Sequence, residues 1–191
     1  MTRKRGDAYN NNYLLQGSPA GSSTYIENYP RTSITSAACV IGATGIMTSV
    51  AVPIQAGEVI TNITFRSGTT AADTPLNWGF ALYSSASTPA LLAQTADQTT
   101  TAWAASTTKT VALASAVQIS TPGVYYASLW MKATAQVTLT GMILPHLDLS
   151  TGLLTTEKFL SASSGTTLTT TAPSTIASPT KLVGVPYVVL T

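Results

Sequence analysis

The chain has 191 residues, of which 34 are Thr, 20 are Ser, 26 are Ala and only 16 carry a charge, for a formal net charge of +2. With one His, one Cys and seven carboxylates, it holds few of the groups that catalysis tunes toward neutrality and sets beside a partner, which argues against an enzyme. A lone Cys39 excludes an internal disulfide, and because Arg3, Lys4 and Arg5 hold three of the nine cations, the rest of the chain has no basic patch of the kind that reads nucleic acid.

Residues 1–45 read as an extended arm. Tyr9, Tyr13, Leu14, Leu15, Tyr25, Ile26 and Tyr29 are spaced irregularly among Asn, Gly, Ser and Pro, with no sustained helical or alternating period. Such aromatics suit a segment laid along a neighbouring subunit, and Arg3, Lys4 and Arg5 would add salt-sensitive attraction to an acidic surface. The plainer alternative is a solvated tail. The polar start predicts neither a signal peptide nor a transmembrane helix. Synthesis in a cytoplasm is therefore expected, with release in a particle as a route outward. Arg5-Gly6-Asp7 spells a receptor-read tripeptide, too short to carry weight.

From residue 46 the pattern turns to β. In Val59–Phe65, Val59, Ile63 and Phe65 are expected on one face, with Arg66-Ser67-Gly68 turning the chain. Trp78, Phe80 and Leu82 share a face of the next strand, and Leu91–Thr95 returns as its hairpin partner. Thr110–Leu113 and Val117–Ile119 read as two further strands, and Pro122-Gly123 launches Val124–Met131. Gln136 opens the strand Val137–Leu144. Thr155–Pro179 is Thr/Ser-rich and weakly patterned, an excursion. The last strand places Val183, Val185, Tyr187 and Val189 on one face, and Pro186 marks an edge or bulge. Short, evenly spaced strands predict an all-β fold: an antiparallel, jelly-roll-like β-sandwich over residues 46–191. The many Thr fit, because a β-branched hydroxyl packs on a pleated face while its oxygen meets water.

Site motifs are sparse. His146 and Asp148 are two apart, but one imidazole and one carboxylate make a poor metal site. No phosphate loop, zinc or nucleophile-elbow motif occurs, and a serine hydrolase would have to use His146 as its base. No catalytic, metal or cofactor residue is therefore assigned. Trp78 and Trp130 lie in strands and read as core. Trp103, in Thr99–Ala105, reads first as a cap on the end of the sandwich, and of the three tryptophans it is the candidate for an exposed contact with a glycan or partner.

Phe80-Ala81-Leu82-Tyr83, Leu91-Leu92-Ala93-Gln94-Thr95-Ala96-Asp97, Ala102-Trp103 and Pro122-Gly123-Val124-Tyr125-Tyr126 form an ordered series. In style it resembles the β-sandwich accessory structural proteins of tailed actinobacterial phages, of minor tail, fibre or head-decoration type. The resemblance covers about the middle quarter of the chain, as a match of composition and pattern. It implies a non-enzymatic scaffold for assembly or host-surface contact. The expected partners are further copies of the chain, with a trimer as one arrangement, other virion proteins, and in the alternative a host-surface glycan. No specific nucleic acid, membrane or cofactor is expected.

Overall fold

A computed structural model describes residues 25–144 and 157–191. Two short strands come first, β1 (Ile26–Glu27) and β2 (Ser36–Val40), with a 3-10 turn at Arg31–Ser33 between them. Then follow β3 (Ile46–Ile54), β4 (Val59–Arg66), β5 (Asn77–Tyr83), β6 (Leu91–Gln94), β7 (Thr108–Gln118), β8 (Gly123–Lys132) and β9 (Thr138–Ile143). The chain ends through β10 (Ser161–Ser164), β11 (Thr180–Lys181), β12 (Gly184–Pro186) and β13 (Val188–Leu190). Among the described residues there is no α-helix.

The strands form sheets of order β1-β13-β4-β7, β11-β10-β3-β8-β5-β6 and β12-β9-β2. Every pairing is antiparallel. Three pairings are nested, β3 with β8, β4 with β7 and β5 with β6. Residues 46–132 thus run as one long double strand, and its successive rungs alternate between the six-stranded and four-stranded sheets. That is jelly-roll winding. Single bridges, Thr95 to Leu113 and Ser67 to Leu139, stitch the sheet edges together.

Between the sheets lies the main core. Val50, Val52 and Ile54 from β3, Trp78, Phe80 and Leu82 from β5, and Leu129 and Met131 from β8 face Ile63 and Phe65 of β4 and Leu190 of β13. Trp78, Phe80, Trp103 and Phe65 interlock with centroid spacings of 5.0 to 5.8 Å, in the tilted and edge-on arrangements that aromatic quadrupoles favour.

The central strands are also buried on their other face, where Met47, Ala81, Tyr83, Tyr126 and Trp130 form a second cluster. The Thr/Ser-rich excursion supplies its cover. β10 joins β3 as a sheet neighbour, Ser161 opposite Val50, and the ring of Phe159 stacks on Tyr126 at 4.4 Å. Tyr83 donates its hydroxyl to Pro173 O at 2.6 Å, and Trp130 Nε1 donates to Thr169 O at 3.2 Å. Each buried polar tip thus finds a carbonyl in the cover. Gly79 makes the packing possible, because a Cβ there would lie 2.5 Å from the Trp130 ring.

Several expectations need correction. The arm boundary at residue 45 does not hold for residues 25–45, which belong to the sandwich. Ile26 pairs with Leu190, β2 pairs with β9, and Cys39 is fully buried. These strands are too short to show alternation, so the segment looked patternless. In β4 the inward residues are Ile60, Ile63 and Phe65, while Val59 is half exposed. A register break between Ile60 and Asn62 shifts the face, and the main-chain N–H groups of Thr61 and Asn62 both donate to Thr191 O there. Thr110–Leu113 and Val117–Gln118 are parts of one strand, β7. At the end of the chain Val185 is buried but Val183 is not, and Val188 and Leu190 replace Tyr187 and Val189 as inward residues. The chain changes sheets after Pro186, which lies on β12 at a sheet edge, where a residue without an N–H is tolerated.

Candidate functional site

Arg3, Lys4, Arg5, Tyr9, Tyr13, Leu14 and Leu15 lie outside the described residues, as do His146 and Asp148. Tyr25, Ile26 and Tyr29 are described, and Ile26 and Tyr29 join this segment to the strands near residues 185–190. Ile26 packs against the main core. Tyr29 donates its hydroxyl to Val185 O at 2.8 Å and meets Tyr187 edge-on at 5.7 Å. Asn28 completes the join: its Nδ2 donates to Pro186 O at 2.9 Å and its Oδ1 accepts from Val188 N at 3.1 Å.

Trp103 is not a surface contact. It is 0% exposed, its ring lies 5.0 Å from Trp78, and its Nε1 donates to Thr107 O at 3.3 Å. The indole is worth more between the sheets than in water, and a nearby carbonyl satisfies its one donor. It therefore offers no face to a sugar ring.

The structure brings together a different set, of which local spacing announces only the Glu27–Arg31 pair. Glu27 has a side chain that is 0% exposed, in an ion pair with Arg31, whose Nε reaches Glu27 Oε1 at 2.7 Å. The Tyr187 hydroxyl donates to the same oxygen. A buried carboxylate needs such partners, because its desolvation is otherwise uncompensated. The hydrogen bond to Glu27 raises the Arg31 pKa above its ordinary value. Burial raises that of Tyr187, with Glu27 adding to the shift. Arg31 Nη2 also donates to Tyr25 Oη at 3.0 Å, with the guanidinium 5.4 Å from the Tyr25 ring centre.

Beside this network is an open hollow of about 320 Å³, lined by Tyr25, Arg31, Arg66, Tyr187 and Val189 together with Thr64, Thr108 and Thr191. Arg66, at the end of β4, is exposed and donates Nη1 to Thr108 Oγ1 at 3.3 Å. The Glu27–Arg31 spacing of four was the one local signal available. Arg66 and Tyr187 come from the far parts of the chain, and only the pairing of β13 with both β1 and β4 places them here.

Among the described residues no three His, Cys, Asp or Glu are grouped to hold a metal ion, and no helix is long and apolar enough to cross a membrane. Comparison with known protein families and with curated proteins finds no match to this chain.

Proposed function

We propose that the protein is a non-enzymatic structural component of a phage virion, of minor tail, fibre or head-decoration type. Residues 1–24, with Arg3, Lys4 and Arg5 and the aromatics Tyr9 and Tyr13, attach it to neighbouring subunits. The faces of the sandwich lie against further copies or other virion proteins. One observation carries the reading: a sandwich whose surface is poor in charge and shows Val40 (70% exposed), Val59, Ile143 and Leu160 to solvent. An isolated soluble domain normally keeps neighbours away with mixed charge. A surface of threonine, serine and aliphatic groups instead gains from being covered, at about 25 cal/mol per Å² of apolar area removed from water. Little charge has to be desolvated in the process.

Because residues 25–40 are built into the sheets, the attachment test must spare them. Deletion of residues 2–24 is expected to leave a sandwich with unchanged circular dichroism that no longer co-purifies with particles. Normal incorporation of that truncation, seen by electron microscopy of the particle, would sink the attachment role of the segment.

A further inference from the structure

We infer that residues 25–40 form an exchangeable strap, which leaves its own sandwich and seats in the same place on a second copy of the chain. Among the described residues, the strap is joined by chain to the rest of the sandwich through residues 41–45. Its strands β1 and β2 each stand at the end of a sheet. Their neighbours keep another partner without them, β13 with β4 and β9 with β12. Within residues 25–40 only Glu27 and Cys39 are buried, so little apolar area holds the strap down. Segments held in that way open at lower cost than a core strand. Withdrawal also leaves the ion pair intact, because Arg31 and Glu27 both lie in the strap.

The place it vacates is specific to its sequence. Val185 O accepts from the Tyr29 hydroxyl at 2.8 Å, Pro186 O from Asn28 Nδ2 at 2.9 Å, and Gly141 O from Thr35 N at 3.0 Å. Val188 N donates to Asn28 Oδ1, the Tyr187 hydroxyl donates to Glu27, and Thr69 N donates to Ala37 O at 2.8 Å. Ile26 lies opposite Leu190, and Cys39 opposite Leu139. Left empty, this surface presents bare edges of β9 and β13, which recruit another strand. The same strap from a second copy restores each contact in the same register, so exchange costs little once copies are close. In dilute solution a chain's own strap prevails through its high effective concentration. The hinge is a tight turn: Ile46 N donates to Ala43 O at 3.0 Å, and Gly45 has φ +71°. Straightened, residues 41–45 span at most about 17 Å, so donor and acceptor must lie against each other. Val40, 70% exposed immediately before the hinge, is then covered.

The inference does not rest on the virion reading, and its test needs no particle. Affinity-tagged and untagged forms of the full chain are concentrated to millimolar levels, separately and together, then diluted and analysed by size-exclusion chromatography with light scattering. Dimers that outlast dilution are expected, with tagged–untagged pairs in the joint sample. Cys39, the single cysteine, reports whether the strap is seated. Maleimide should label it slowly in monomer and dimer alike. Gly45→Val places a Cβ on a left-handed residue, so the turn should extend and the dimer fraction rise about tenfold. Gly165→Val strains another left-handed turn, φ +78°, and crowds Leu168 without touching the hinge. It should leave the dimer fraction unchanged. Absence of mixed dimers from the unaltered chain, an equal rise in both glycine variants, or a dimer whose Cys39 labels as fast as in the unfolded chain would each overturn the inference.

Discussion

Trp103 and Gly79 show how far a residue's role depends on what lies opposite it. Replacing Trp103 by Ala removes an indole that contacts Trp78 and Phe80 at 5.0 and 5.8 Å. It should destabilise the fold by about 3–5 kcal/mol, the usual cost of deleting a large buried aromatic, measured by denaturant unfolding. Stability equal to the parent's, with a lost ligand, would restore Trp103 to the surface. Trp78, Phe80 and Leu82 were legible as core because alternation along one strand is a local signal. Trp103 was not, since Thr-Thr-Ala-Trp-Ala-Ala carries no period. Gly79 gave no hint of its duty either, because the Trp130 ring that fills its missing Cβ comes from β8.

At the scale of elements, the segment after residue 157 is the main departure from the sequence reading. Weak patterning made it an excursion, yet its strand β10 lies in the six-stranded sheet and its loops close a second core. Serine and threonine hid the element, since its apolar contacts rest on isolated residues such as Phe159, Ala172 and Ile176. Phe159→Ala should loosen this cover locally while the sandwich stays folded. The amides of Leu91 and Ile176, which donate to Ser174 O and Pro89 O at 2.8 and 2.9 Å, are expected to exchange hydrogen at least about tenfold faster, with the β5–β8 amides unchanged. Uniform acceleration across both sets would show that the cover and the sandwich unfold as one unit.

For the molecule as a whole, the acidic groups that burial shifts among the described residues are phenols and a thiol, and they place a pH response on the alkaline side. Burial pushes Tyr126 up to about 12 and the Cys39 thiol up to about 11. It also raises Tyr29, Tyr83 and Tyr187. In the unfolded chain a tyrosine titrates near 10 and a thiol near 8.5, so these groups bind protons more tightly when folded. Their contribution is complete below the unfolded values and is lost as pH rises through the folded ones. Stability should therefore hold up to about pH 8.5 and fall between about pH 8.5 and 12. Tyrosinate absorbance should then rise together with the loss of β circular dichroism. Smooth titration of all eight tyrosines near pH 10 in a still-folded protein would contradict this.

The sequence by itself determined the all-β class, the β5–β6 hairpin, the inward face of β5, the place of Pro186 at an edge or bulge, and the near-neutral, hydroxyl-rich character of the chain. All of these follow from alternation, turn residues or composition, which act over a few positions. Tertiary structure alone decided that residues 25–45 belong to the sandwich, that Trp103 is buried, that a second core exists, and that Glu27, Arg31, Arg66 and Tyr187 meet. In a nested antiparallel winding each strand is completed by one far away in sequence: β3 by β8, β4 by β7 and β1 by β13. The side chains that share a surface there are set by sheet register, which no local period encodes.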